Sequence, residues 1–534
     1  MLVFVLLPAL CHTQDEGSFS GSLTVNGNFY QKDERIGAAN TPQYERQLYG
    51  ADSWLNLSYT RDGYELGVRF DLFNNSQLLN PNDSYTDQGL GRWYIKKKIQ
   101  KLGISAGYLY DQIGSGVIFR AYEERPLLID NALFGIRLTY DLSNDWQIKA
   151  FTGKQKRLFE TYDSILKGLS LDGYVAGKEG SNWSMVPGFG VVGKTLSESQ
   201  MDALANSLAS YTPDDFIAEA PYNSYAFTLY NTLNVGNLSW YIEGAYKTEE
   251  VIFDLFADRT LWTGESTVGK YVLEPGSLLY SSISYSAGKL GLLFEYKRTE
   301  NFTFRTDPFV TLNRGMINFL PPMNRLNTYR LTARYNPATQ ELGEQAFQVD
   351  LRYAPRKNLS FLVNFSNITN LENFKLYREL FTEVTLKKPR KWTLIGGVQI
   401  QDYNQEIFEG KSGVPPVQTI TPYVEYLYKI DRKKSIRLEM QYMNTNEDFG
   451  SWVFGLVEFG IAPHWIFELS DMWNVKPKKT DKLHYPTFGV VYSIDANRFS
   501  IRYVKQVEGV VCSGGICRLE PAFSGVRLNI SSNF

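Results

Sequence analysis

No uninterrupted run of 18 apolar residues occurs in the 534-residue chain, and mean hydropathy is -0.28, so a bundle of membrane-spanning helices is excluded. Three histidines and three cysteines leave little material for thiol or imidazole chemistry. Charge of one sign is lacking as well. With 55 basic and 57 acidic residues the net charge is -2, so no basic surface recommends nucleic acid as a partner. What the chain does have is 35 Tyr, 33 Phe and 43 Gly, a composition suited to many strands with aromatic girdles and polar loops.

The first residues, Leu2 to Leu10, form a short apolar run followed by Cys11, His12, Thr13 and Gln14. Its length is that of a signal-peptide core, too short to span a bilayer, so residues 1–14 are read as the remnant of an export signal. Leu10 is a poor neighbour for lipid attachment at Cys11, which favours a cleaved, unlipidated reading.

From residue 15 onward one pattern recurs to the end. Leu66, Val68, Phe70 and Leu72 alternate with Glu65, Gly67, Arg69 and Asp71. Phe347, Val349, Leu351 and Tyr353 alternate with Gln348, Asp350 and Arg352, and Tyr329, Leu331, Ala333 and Tyr335 with Arg330, Thr332 and Arg334. Side chains of a strand point to opposite faces with period two, so each segment has one greasy face and one charged face.

In a soluble sandwich the greasy faces would meet one another; in a membrane barrel they meet lipid and enclose a wet lumen. The segments run to the roughly 9 to 11 residues that a tilted strand needs to cross hydrocarbon. Short connections such as Arg61-Asp62-Gly63, Gly236, Gly288 and Asp495-Ala496-Asn497 alternate with long ones, the outer-membrane signature. The chain stops on Val526, Leu528, Ile530 and terminal Phe534, a closing strand that looks like the signal read by barrel-assembly machinery. These features predict an all-β, single-chain antiparallel transmembrane barrel over residues 15–534, with short periplasmic turns and long extracellular loops. Segments can be drawn at 23 places, including 327–336, whereas a bacterial barrel has an even number; the expectation is about 22 strands, with 20 to 24 allowed, and region 337–376 is the suspect one.

Two stretches resemble a known family. Residues 114–125, Gly-Ser-Gly-Val-Ile-Phe-Arg-Ala-Tyr-Glu-Glu-Arg, continuing through Ile129, Asp130 and Asn131 to Gly135, are similar to a segment of a Bacteroidota family of outer-membrane barrels of unknown function. Residues 511–518, around Cys512 and Cys517, are similar to that family's last loop, and 15–22 fits it too. The resemblance implies a barrel in the outer membrane of a Gram-negative cell and brings no activity, substrate or catalytic residue.

Within 113–133, Arg120, Glu123, Glu124, Arg125 and Asp130 stand on an apolar frame behind a Gly-Ser-Gly entrance. Folded into the lumen, such a loop either constricts it and selects solute or is pinned to the wall by ion pairs, and it can do both. Residues 155–222 read as one long loop, and loops of that length are usually functional. Inside it, Ser197-Glu198-Ser199-Gln200 is a capping box ahead of a short amphipathic helix that would plug or cap the pore or contact a partner. Cys512 and Cys517 lack further ligands nearby, so a disulfide staple is preferred to a metal or redox site. Mixed charges from Glu65, Arg69 and Asp71 to Glu439, Arg502 and Arg527 are expected on the lumen side.

The remaining histidines, His464 and His484, lie near no nucleophile elbow or HExxH spacing, so no enzyme, cofactor or metal is expected. Two functions from different classes remain. One is a pore or transporter with a loop-restricted lumen; the other is a non-conducting scaffold that anchors lipoproteins or other subunits of an envelope complex. A TonB-gated receptor is disfavoured because no separate plug precedes the first strand at residue 18. Lipids and the assembly machinery are the expected partners in either case.

Overall fold

The computed structural model describes residues 17–534 except 214, 218, 312, 313, 342, 479, 480, 514 and 515, and does not describe the side chains of 511–517. The proposed export signal therefore lies outside the described residues. Strands β1 to β8 are Ser18–Tyr30, Tyr49–Arg61, Tyr64–Ser76, Tyr85–Ile99, Leu102–Leu109, Leu133–Asp141, Trp146–Arg157 and Glu160–Gly173. Strands β9 to β16 are Trp183–Thr195, Asn223–Val235, Leu238–Thr260, Ser266–Ala287, Leu290–Glu300, Gly343–Arg356, Leu359–Thr369 and Lys375–Lys388. Strands β17 to β24 are Trp392–Tyr403, Val417–Lys429, Lys434–Met443, Gly450–Ile461, Trp465–Pro477, His484–Ile494, Asn497–Gln506 and Phe523–Asn533.

Each strand pairs antiparallel with the next, and β24 returns to β1 with Asn529 opposite Asn26 and Val526 opposite Phe29, so the 24 strands close into a barrel. Closure leaves no strand edge unpaired. At the seam the last residue continues the ladder: Gly21 N donates to Phe534 O at 2.7 Å and Phe534 N to Gly21 O at 3.0 Å. Gly21 carries no Cβ, and the Phe534 ring lies over it.

The exposure pattern inverts that of a soluble protein. On β3, Phe70 is 49% exposed and Leu66 41%, whereas Arg69 between them is 2% and Asp71 5%. Elsewhere Leu229, Met440 and Ile501 face outward while Glu243, Lys247, Lys297 and Glu379 are fully enclosed. Such an exterior suits hydrocarbon, and Tyr64, Tyr140, Tyr285, Tyr353, Tyr428 and Trp465 stand outward at the short-turn ends of their strands as an aromatic girdle. The short turns 62–63, 236–237, 288–289 and 495–496 lie where the sequence places them.

Two segment assignments differ from expectation. Residues 155–222 are not one loop, because they contain the end of β7 and all of β8 and β9, which leaves 196–222 as the connection. In β9 the sequence Val-Pro-Gly-Phe-Gly reads as a turn, yet Gly190 is small because Ile113 and Ile118 of an inner loop press against it, and Gly188 because Tyr230 does. Conversely, 327–336 alternates like a strand but belongs to the connection 301–342, where Tyr329, Leu331 and Tyr335 are buried inside the barrel. Losing one stave and gaining two turns 23 segments into 24, and the error lay just before region 337–376 rather than within it. The capping box is present: Ser197 caps α1 (Glu198–Leu208) and Gln200 answers it.

Candidate functional site

A wall of 24 strands encloses a space too wide for its own side chains to fill. Residues 110–132, between β5 and β6, and 301–342, between β13 and β14, occupy it. Their main chains interlock, Arg120 N donating to Ile317 O at 2.8 Å and Phe319 N to Gly116 O at 3.0 Å. Two buried asparagines tie the weave. Asn318 Nδ2 donates to Val117 O and Phe302 O at 3.0 and 2.8 Å, and Asn131 Nδ2 to Arg120 O and Met316 O, both at 3.0 Å. Ile113, Val117 and Phe119 from the first loop and Phe302, Phe304 and Ile317 from the second share one apolar cluster with the wall residues Phe151, Leu166 and Val192.

The charged loop residues found in the sequence meet the wall on β3. Arg69 donates from Nε to Asp71 at 2.6 Å, from Nη1 to Glu123 at 2.7 Å and from Nη2 to Asp130 at 2.6 Å. Lys156 pairs with Asp130, and Arg125 Nε with Glu123 at 3.0 Å, so three cations balance three carboxylates. Burial alone would push the Asp130 carboxyl up, but Lys156 and Arg69 hold it below the usual carboxylate range. Arg120 is not part of this cluster; its guanidinium stacks 4.1 Å from Phe319 and 4.6 Å from Tyr122. Glu124 is half-buried beside it without an ion pair among the described residues.

The Gly-Ser-Gly entrance has a specific seat. Glu243, fully buried on β11, accepts from Ser115 N at 3.0 Å, Ser115 Oγ at 2.5 Å, Thr228 Oγ1 at 2.8 Å and Tyr241 OH at 2.5 Å. Gly114, at φ +55°, passes so close to Glu243 and Tyr230 that a Cβ would collide with the carboxylate.

The second loop is held by its main chain. Lys194 Nζ donates to Arg305 O at 2.9 Å, Lys247 Nζ to Thr303 O at 2.8 Å and Lys297 Nζ to Pro321 O at 2.5 Å. Each ammonium also meets a wall carboxylate, Glu250 for the first two and Glu344 at 2.6 Å for the third. Lys247 and Lys297 lie on barrel strands and face the lumen, and the alternation of 327–336 places Arg330 and Arg334 on such a strand as well. In the fold, however, Arg330 and Arg334 sit on the inner loop itself. The loop's role was missed because alternation in 327–336 masked it, although Asn318 and the Pro321-Pro322 pair were signs of a non-strand connection.

Ion pairs divide the lumen into two halves. Toward the long loops they are enclosed: side chains of Lys194 and Glu250 are 5% exposed, those of Lys297 and Glu344 0% and 1%. Toward the short turns they are wet. Lys96 and Glu65, 3.0 Å apart, are 38% and 39% exposed, and Arg437 and Glu458, 3.2 Å apart, are each 28%. Helix α1 packs Leu204 and Leu208 against Val251, in the part of β11 beyond the bulged pairing with β12, and Gln200 reaches Thr306 O at 3.2 Å.

The chain belongs to a family of unknown function, DUF6029, whose pattern matches residues 1–534. No curated protein is similar to it in sequence. Among solved structures, the P pilus usher PapC translocation pore is similar, with 10% identity and a TM-score of 0.48, covering 96% of this chain and 99% of that one. A mutant of the ferric enterobactin receptor PfeA from Pseudomonas aeruginosa has 7% identity and a TM-score of 0.43, covering 98% and 81%. The unliganded ferric citrate transporter FecA has 10% identity and a TM-score of 0.40, covering 98% and 79%. The likeness is one of fold.

Proposed function

We propose that the protein is an outer-membrane transporter whose lumen is restricted by its own inner loops, 110–132 and 301–342, acting as a movable plug. The asymmetry of the lumen supports this most. Lysines of enclosed wall pairs hold the plug's main chain in the long-loop half, while a charged, solvent-exposed vestibule is left in the short-turn half. A barrel serving only as an anchor has no need of a wet vestibule beneath a filled upper half. Each lysine hold is a charge-assisted hydrogen bond to a main-chain carbonyl, a contribution of about 1.5–3 kcal/mol that water or solute entering the lumen can replace. Neither catalysis nor a cofactor enters this reading. The shared apolar cluster of loops and wall favours the second reading, a non-conducting scaffold for surface lipoproteins.

Single-channel recording in planar bilayers separates the two. Transport predicts a small conductance for the unaltered chain that rises several-fold when Lys297→Met and Arg69→Met loosen the plug. Absence of current from both, with lipoproteins copurifying, would replace it with the scaffold.

A further inference from the structure

Residues 325–336 rest in a seat built by β14 to β20, and the seat reads their main chain. Gln399 Nε2 donates to Thr332 O at 2.9 Å, Gln401 Nε2 to Tyr335 O at 2.7 Å, and Leu331 N donates to Gln441 Oε1 at 2.7 Å. All three glutamines are buried. Contacts to main-chain groups give affinity without demanding a particular sequence.

Side chains of the segment supply aromatic rings and positive charge. The Tyr329 ring lies 4.4 Å from that of Tyr423, Arg325 stacks 4.2 Å over Phe381, and Arg334 5.1 Å over Trp452. From 325 to 340 the chain has three arginines and no acid. The seat answers with carboxylates: Asp448 is 3.7 Å from Arg334 and accepts from Tyr335 OH at 2.8 Å, and Asp350 is 3.9 Å from Arg325.

One feature of the seat is not met by its occupant. Glu379 is fully buried, receives the amides of Asn327 at 2.8 Å and Gln399 at 2.6 Å, and has no ion-pair partner among the described residues. A buried carboxylate facing a neutral amide forgoes the stronger, charge-assisted contact that a lysine or arginine would make. Acidity continues down the wall toward the short turns. There Glu425 stands directly opposite Glu439, and Glu458 opposite Glu468, like-charge cross-strand pairs that cost stability, with Arg437 and Arg502 beside them.

We infer that this wall is a binding site for a cationic peptide bearing aromatic side chains, and that residues 325–336 are a resident stand-in which such a peptide displaces. An incoming lysine or arginine takes the place of Asn327 and pairs with Glu379. The wall amides transfer from the resident main chain to the ligand's, and the acidic stripe below leads the ligand's charge onward. This rests on the reading of the inner loops as movable.

The test uses the full chain in detergent and fluorescence anisotropy of a labelled synthetic peptide with the sequence of residues 325–336 carrying Asn327→Lys. Binding should be saturable and should weaken roughly tenfold with Glu379→Gln, the worth of one charge-assisted contact. Replacing the peptide's arginines by glutamate should abolish it. The chain variant Asn327→Lys, whose own segment then satisfies Glu379, should also bind about tenfold more weakly. The variant Tyr329→Ala with Arg334→Ala frees the seat and should bind more tightly. If that variant, shown to be a folded barrel by its heat-modifiable gel mobility, takes up no peptide, or if binding ignores Glu379→Gln, the proposal is overturned. A loosened chain that conducts but binds no peptide defeats this site alone; one that binds peptide without conducting defeats the transporter reading alone.

Discussion

Replacing Arg69 by methionine tests the hold on the first inner loop. Arg69 is 2% exposed, and its guanidinium joins Asp71 on its own strand to Glu123 and Asp130 of the loop. Its removal leaves one buried carboxylate, Asp71, and two half-buried ones, Glu123 and Asp130, against Lys156 and Arg125. Losing one partner of a buried ion pair costs about 3–5 kcal/mol. If all of that appears in the docking equilibrium, the undocked population rises by roughly two to nearly four powers of ten. Hydrogen exchange with mass spectrometry should show residues 113–131 losing protection by that factor, while β10 to β13 keep theirs. Adding Asp71→Asn restores the balance, because Arg125 remains with Glu123 and Lys156 with Asp130, and most of the protection should return. Unchanged exchange in Arg69→Met would show that the apolar packing of Ile113, Val117 and Phe119 holds the loop unaided. Loss in the single variant without recovery in the double would assign the effect to side-chain volume instead of charge.

Four other outcomes are expected. Val68→Lys places a charge on the outer face of β3 and should lower barrel stability by about 2–4 kcal/mol in lipid, read by urea titration of the folded gel species; an unchanged midpoint would argue against a lipid-facing surface there. Asp130, held below the usual carboxylate range, contributes stability that is fully present above about pH 4 and is lost as pH falls through its lowered value, so the protection factor at 113–131, taken against the intrinsic exchange rate at each pH, should be steady from pH 7 to 5 and fall only in stronger acid. A loss of protection already at pH 6 would implicate another group. In the hairpin Gly509–Ser513 and Ile516–Glu520 the main chain places Cys512 opposite Cys517, their side chains lying outside the described residues; under oxidising conditions neither position should present a free thiol, and alkylation of both without reductant would refute the staple. Deleting Phe534 removes the ring over Gly21 and the last two rungs at the seam, and should slow membrane insertion; insertion at the normal rate would deny the residue that role.

The barrel was legible because its signal is repeated along the whole chain. Leu66 to Leu72 alternate against Arg69 and Asp71, and that pattern survives any single misreading. The exceptions share one physical cause, the inner loops. β9 reads as a loop because Gly190 must yield space to Ile113 and Ile118, and 327–336 reads as a strand because its apolar side chains face lumen aromatics. Alternation reports that one face is apolar; it does not say whether lipid or a plug covers it. The cluster around Glu123, Arg125 and Asp130 could be found as a group, but its wall partners Arg69 and Lys156 lie 54 and 26 residues away along the chain from Glu123 and Asp130 respectively, beyond the reach of local pattern. Glu243, Gln399, Gln401 and Gln441 give no local sign of the main-chain groups they bind.

The most direct measurement is an experimental density map of the purified protein in lipid nanodiscs. Twenty-four staves should appear around continuous density for residues 113–133 and 301–336, with the Arg69 guanidinium touching three carboxylates. An empty bore with both segments outside it, or a structure in which the outward Leu66, Val68 and Phe70 are buried against a second sheet, would contradict the account.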